Sequence, residues 1–542
     1  MKKVLSVLLV VLMLVSCASI AIAAEAPNGL LYPTIYIKGK MEAIYNDIST
    51  ADEWMVSDSS RVFSKEVTDV KAYATEKAKE LLPLFVIGLM TDNYDQWAEG
   101  MSTLLEPIYR DFVLDKNGKA REGSGVKFDY SNLRNNVRGD GTYGTESYYF
   151  MHDWRLSPID AADQLSNYID AVLQATGKAK VNLVSRCEGC CIALSYLAKK
   201  GDSKIANHVM LGSSALGVVY ASNIFAGKFD LNSDAINRYF GRNFATDSDK
   251  SFGGDLFDDE VITTFVKETV SLLAVTHAID LPADKIEALI EKLAPMVVPD
   301  LLMTSYGTCP SYWAMVRDDD YEDAKKLAGL TGNPEYAAFV ELIDDYHYNV
   351  QKKADEILKG LQNDGIQTGL LVKYGSETLP FIKDCNELSD NTTLVKDASF
   401  GATTSKVQET LSDAYIAAAE ADGKGDCISP DKQIDASTGL FPETTWYMKY
   451  FEHTKWGGPV DTFIVEFIRS SGTMRPGENS AMPRFMVADM DNYSVQEMTD
   501  ENANSQSNYY QTNKLTSLFS FLTALFPMLQ RLFNLIKSKL GK

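Results

Sequence analysis

Cysteine is scarce here, with seven residues in a chain of 542, so a disulfide scaffold is not what holds the fold together. An apolar core must do so. Cys385 and Cys427 lie in loop-like segments and are open to pairing in an oxidising compartment, subject to a geometry that sequence does not supply. Histidine is scarcer still. The five, at positions 152, 208, 277, 347 and 453, are too scattered to argue for zinc. Positive charge is also short, with 52 Lys and Arg against 74 Asp and Glu and a formal net charge of -22. Such a field repels phosphate backbones, and no long basic run lies outside the two ends, which argues against nucleic acid as a partner. No internal repeat is present, and the low-complexity sequence is confined to the polar NANSQSN near the end.

Apolar residues are plentiful, at 45% of the chain, which excludes disorder throughout and allows one large core with an insertion, or two domains. Lys2 and Lys3 precede an apolar run with small residues near Ala23, so residues 1–24 read as an export signal. Two processing sites compete there. Ala21-Ile22-Ala23 suits release by a signal peptidase, whereas Leu14-Val15-Ser16-Cys17 is a lipobox that would place a lipid on Cys17. The apolar Ala18 to Ala24 favours release, since residues after a lipidated cysteine are usually polar. The expected location is extracytoplasmic, secreted or lipid-anchored at the cell surface; failed cleavage would leave an uncleaved anchor.

Along the chain, PTIYI (33–37) reads as a buried strand running into a turn. Residues 62–113 carry apolar positions at helical spacing, and DKNGKAREGSG (115–125) is a surface turn region. YYFMHDWRLSP is a strand that stops before Pro158, followed by a helix through DAADQLSNYIDAVLQATGK. VNLV (181–184) is a strand, SRCEGCCIALSYLAKKG a turn into a helix, and HVMLGSS (208–214) a third strand. This alternation is the rhythm of a mostly parallel sheet with helices on both faces. From 215 to 365 only helical patterns follow, among them ITTFVKETVSLLAVTHAID and DKIEALIEKLAPMVVPDLL, as expected of a helical lid insertion. The sheet resumes at GLLVKYG (369–375), and long polar loops lead to TTWYMKYFEHTKW. The expected division is therefore 25–214 and 366–500 as two parts of one core, 215–365 as the lid, and 501–542 as a polar linker and an amphipathic C-terminal helix. That last helix, apolar and basic at its end but broken by Pro527, Gln530 and Arg531, suits a membrane surface better than a span. Docking on the enzyme itself or on another copy is the alternative.

Chemistry concentrates at V-N-L-V-S-R-C-E-G-C-C, where Cys187 falls between a strand and a helix in the frame of the G-x-S-x-G nucleophile elbow of the α/β-hydrolase fold. Ser185 and Gly189 supply the small flanking residues. Cysteine replaces serine, and a thiolate near a helix N-terminus can carry the same covalent chemistry. The fold orders nucleophile, acid and histidine along the chain. Only His453 follows the last strands, so it is the expected base. Asp390, in the loop after GLLVKYG, is the expected acid, with Asp426 and Asp435 behind it. Backbone N–H groups of Glu188 and of Lys40 or Met41 would meet an oxyanion. Arg155 and Asp153 are expected to pair.

The chain resembles the lecithin:cholesterol acyltransferase-like branch of the α/β-hydrolases, seen in lipases, phospholipases and acyltransferases. The similar pieces are PTIYIKGK at the oxyanion loop, HDWRLSP at a strand end, VNLVSRCEGC, PSYWAMV in the lid, SDNTTLVKDAS at the acid loop and FEHTKW at the histidine loop. The departures are Cys187 for serine, Asn391 for glycine and His152 for tyrosine. The resemblance implies lipid-like esters or thioesters as substrates. No cofactor and no metal are called for. Two other readings stay open: a catalytically silent member that binds a ligand or partner, and a thioredoxin-like C-x-x-C redox protein built on Cys187 and Cys190.

Overall fold

Short β-branched and aromatic runs line up as one eight-stranded sheet in a computed structural model. The structure describes residues 29–39, 43–50, 70–128, 145–230, 283–489 and 494–504, with 52, 53, 67, 133, 143, 235 and 492 between them. Cys17 and the expected export signal, Lys40 and Met41, the segment ITTFVKETVSLLAVTHAID with His277, and the C-terminal stretch from 505 lie outside the described residues.

The strands are β1 (Thr34–Ile37), β2 (Ser147–Phe150), β3 (Val181–Cys187), β4 (Ile205–Ser213), β5 (Thr368–Tyr374), β6 (Thr445–Lys449), β7 (Phe485–Asp489) and β8 (Ser494–Glu497). Their spatial order is β8-β7-β6-β5-β4-β3-β1-β2. Neighbours run parallel, and only β8 turns back antiparallel against β7. Strands buried on both faces read as continuous apolar runs, and β1 and β5 are buried at every position.

The helices that pack on the sheet or form the helical layer are α1 (Val70–Thr91), α2 (Asp95–Ser102), α3 (Pro158–Thr176), α4 (Gly189–Lys200), α5 (Val219–Phe225), α6 (Ala283–Met303), α7 (Asp318–Leu327), α8 (Ala337–Asn349), α9 (Ala354–Asn363) and α10 (Pro459–Arg469). Side chains alternate across each strand, so the sheet has two cores. Ile35, Leu183 and Met210 pack on one face with Leu165 of α3, Ile192 of α4 and Leu358 of α9. Tyr36, Val184 and Val209 pack on the other with Phe463, Ile464 and Phe467 of α10. Local chemistry sets the helix ends. In α3 the Ser157 hydroxyl accepts from the Ile159 N–H, Pro158 holds the first turn, and Gly177 closes the helix at φ 66°, each in its preferred role.

No strand is present among the described residues between β4 and β5. Helices from that stretch, such as α5, α6 and α7, share an apolar cluster with α1 and α2 from the N-terminal part. The helical layer thus draws on both regions. α9 belongs instead to the cover of the sheet, through Ala354, Leu358 and Leu361. No described helix is long and apolar enough to cross a membrane.

Candidate active site

β3 delivers Cys187 to the carboxyl edge of the sheet, where open parallel sheets place their ligands. The chain turns there without a break into α4, and Cys187 takes φ 50°. A left-handed backbone at a non-glycine residue stores strain and exposes the side chain at the turn. The flanking small residues now have reasons. A β-carbon on Gly189 would stand 2.5 Å from the Ile37 carbonyl oxygen and 2.6 Å from that of Lys38. One on Gly39 would stand 2.9 Å from Cys187 Cβ and 3.3 Å from its Sγ, so the loop after β1 passes directly over the sulfur. Cys187 is half-buried, whereas Cys190 and Cys191 are buried. Burial pushes the Cys190 thiol up to about 12 and raises that of Cys191 further.

Asp390 follows β5 and His453 follows β6, and the two meet: His453 Nδ1 lies 2.7 Å from Asp390 Oδ2, both side chains buried. The acid loop is a tight turn closed on its own carboxylate. Oδ1 accepts from the Thr392 N–H (3.1 Å), the Thr393 N–H (2.7 Å) and the Thr393 hydroxyl (3.1 Å), while Asn391 takes φ 77°. Asparagine stands in a left-handed position that glycine fills readily, and tolerates it. Burial alone would raise the Asp390 carboxyl, but His453, the Thr393 N–H and Lys373 together hold it below its ordinary value. Burial alone would likewise lower His453, but Asp390 and Cys187 outweigh it and push the ring up to about 10. His453 Nε2 makes no regular hydrogen bond among the described residues, and the Cys187 sulfur is close enough to act on it. Cys187, Asp390 and His453 therefore converge.

The other candidates lie elsewhere. Asp426 is exposed and Asp435 accepts from the Tyr415 hydroxyl and the Ser437 N–H, so neither is the acid beside His453. Glu188 stands at the N-terminal end of α4 without a capping side-chain bond; Lys40 and Met41 lie outside the described residues. Arg155 and Asp153 pair as expected, with Nε to Oδ1 at 3.0 Å and Nη2 to Oδ2 at 2.7 Å. No disulfide joins Cys385 to Cys427; they pack in or against different apolar clusters. His208 bonds Thr368, His347 bonds Gln351, and His152 bonds Glu188. Among the described residues no three His, Cys, Asp or Glu side chains gather as a metal site.

Three arrangements escaped sequence reading. His152 Nε2 lies 3.0 Å from Glu188 Oε2, a buried pair directly behind the turn. Arg317, just after PSYWAMV, bridges Asp384 (2.9 Å) and Asp397 (3.1 Å), tying the helical layer to the acid loop. Lys373 and Arg186 both reach the ring of Trp456 in the histidine loop, at 3.5 and 4.3 Å from its centroid. The motif D-N-T-T carried a signal for the Asp390 turn; the long-range pairs carried none.

No family model matches the chain, and no curated protein does. Among solved structures, a chain from the crystal structure of a Tle4-Tli4 complex aligns with 36% of this chain and 48% of its own length, at 12% identity and a TM-score of 0.19. The chain thus spans about half of that protein, and a likeness this slight carries no argument.

Proposed function

We propose that the protein is an exported α/β-hydrolase-fold enzyme, with the helices between β4 and β5 as its lid, that transfers acyl groups from lipid-like esters or thioesters to water or an alcohol. The observation that carries this reading is the convergence of Cys187, on its strained strand-to-helix turn, with the buried His453–Asp390 pair.

In this mechanism the Cys187 proton has passed to His453 Nε2, and Sγ then attacks the acyl carbon. Asp390 accepts from Nδ1 and stabilises the imidazolium. The carbonyl oxygen becomes an oxyanion, which meets the N–H of Glu188 and that of Lys40 or Met41. As the acyl carbon–oxygen or carbon–sulfur bond breaks, the leaving group takes the proton from His453, and an acyl thioester remains on Cys187. Water or an alcohol then gives its proton to His453 and attacks the thioester, and the proton returns to sulfur as the acyl group departs. No cofactor or metal enters these steps.

Two other readings make different demands. A silent binding protein does not need a histidine and a carboxylate aligned behind the sulfur. A C-x-x-C redox protein needs Cys190 to be reachable, and its side chain is fully buried. The test is a panel of esters and thioesters of graded chain length, with mass spectrometry of the quenched enzyme. An acyl adduct on Cys187 is expected. Equal turnover by wild type and Cys187→Ala on every substrate, with folding intact, overturns the mechanism and leaves the silent protein as the better reading.

A further inference from the structure

Lys373 sits in β5, opposite Met448 of β6, in the middle of the sheet. Every residue of β5 is buried, and Lys373 is 1% exposed. A lysine in such a position is costly and is retained only where its donors are used. Its ammonium pairs with no carboxylate among the described residues. Instead, Nζ donates to three main-chain carbonyls of one loop: Glu452 at 3.3 Å, His453 at 3.2 Å and Lys455 at 2.6 Å. The same nitrogen lies over the rings of Trp456 and Phe451, at 3.5 and 4.9 Å. Five residues of this segment, Phe451, Glu452, His453, Lys455 and Trp456, thus contact a single side chain.

The loop has two further ties: the His453 N–H donates to the Asp390 carbonyl and the Lys455 N–H to that of Glu452, each at 3.1 Å. Its far end is Gly457 and Gly458, at φ 94° and 51°, before α10 begins. Arg186, one residue before the nucleophile, adds a second cation to the Trp456 ring at 4.3 Å, and Trp456 meets the His453 ring edge-on at 6.0 Å. β3, β5 and the histidine loop are therefore joined through one tryptophan.

We propose that Lys373 is a positioning residue for His453, a buried amine whose hydrogen bonds lock the histidine loop so that the ring lies between Asp390 and Cys187, with Trp456 and Arg186 as the second anchor. The assignment of catalysis to His453 rests on the function proposed above; the locking of the ring does not. Burial, helped by Arg186, holds the Lys373 amine well below its ordinary value, while Asp390, Cys187 and Glu452 favour its charged form; a charge role and a positioning role have opposite signs. If Lys373 acted only as a nearby charge, its removal would favour the imidazolium and raise the His453 pKa. If it positions the loop, its removal loosens the Asp390 contact and the pKa falls.

The experiment compares wild type, Lys373→Met and Trp456→Leu in the full chain. The ring titration of His453 is followed by NMR, the pH profile of Cys187 alkylation by iodoacetamide is recorded, and kcat and KM are measured on a turned-over thioester. Lys373→Met is expected to lower the His453 titration by roughly one unit and to reduce kcat by about 100-fold at nearly unchanged KM, as a small misplacement of a base does. Trp456→Leu, which leaves the buried strand intact, should move the titration and kcat in the same direction by less. An unchanged or raised His453 titration with unchanged kcat in the folded variants overturns the proposal. Should Lys373→Met fail to fold, Trp456→Leu decides alone by the same criterion. A wild type inert towards every ester and thioester would remove the proposed function, yet the titration would still decide whether Lys373 holds the ring.

Discussion

Gly212 lies under the His453 ring: a β-carbon built there would stand 3.4 Å from both Cε1 and Nδ1 of His453, and 3.5 Å from Asp390 Oδ2. The residue is also left-handed, at φ 49°. Gly212→Ala therefore adds a backbone strain of about 1 kcal/mol and places a methyl against the pair that orients the proposed base. Activity is expected to fall by tenfold or more while the melting temperature drops by only a few degrees. Thermal unfolding run beside steady-state kinetics checks this; a variant with intact turnover would show that the ring tolerates the methyl.

Removing either end of the proposed relay should cost about as much as removing both. Cys187→Ala and His453→Ala are each expected to lose about 1000-fold or more in kcat, with the double variant little worse, because residues that act as a unit are strongly non-additive. Asp390→Asn should cost less than either, since the carboxylate orients the ring and does not touch the acyl group. Multiplicative losses in the double variant would count against a shared step.

The three neighbouring thiols differ in access. Cys187 is half-buried, whereas Cys190 and Cys191 show no exposed surface. Brief treatment of the folded protein with a thiol-directed ester probe should modify Cys187 alone among them, as peptide mapping will show, and denaturant should release the other two. Equal labelling of Cys190 in the native state would favour the C-x-x-C reading.

Two buried histidines set the pH limits of stability from opposite sides. Burial lowers His208 from 6.5 to about 3. The unfolded chain takes up this proton below about pH 6.5 and the folded chain does not. Stability is therefore lost as pH falls across that window, by up to about 1.4 kcal/mol per pH unit. His453 runs the other way: Asp390 and Cys187 overcome burial and raise it to about 10, so its contribution is complete below 6.5 and is lost as pH rises through about 10. Urea unfolding at a series of pH values checks both signs. His208→Asn should flatten the acid limb, and a wild-type curve with no acid limb would remove the role given to His208.

Export has a direct readout. Mass spectrometry of the mature N-terminus should find a start near Ala24 or Glu25 if the chain is released, or a lipid on Cys17 if it is tethered. Full-length protein confined to the cytoplasm would contradict the proposed location.

The parts legible in the sequence were those written locally or by order along the chain. The run V-N-L-V-S-R-C-E-G carries its own strand, turn and helix start, and the Asp153–Arg155 fork spans two residues. His453 was singled out by its place after the last expected strands. Asp390 was preferred over Asp426 and Asp435 only by its loop, and it took the 2.7 Å contact to His453 to separate them. Long-range relationships left no local trace: the carbonyls under Lys373, the methyl-sized space at Gly212, and the His152–Glu188 pair across 36 positions. β7 and β8 were both missed, and His453 precedes them instead of following the last strand; β8 is a short, largely exposed edge strand with no apolar alternation, so its only support is pairing with β7.

The contact between Asp390 and His453 joins residues 63 positions apart, and the sulfur they serve enters the fold much earlier in the chain. Nothing local can hold such an arrangement until β3, β5 and β6 have found one another, and pairings of that separation form slowly because chain entropy must be spent first. Regain of activity after denaturation should accordingly trail the return of helical signal, which makes turnover a reporter of completed topology, more demanding than circular dichroism of whether a refolded or variant chain has reached its native state.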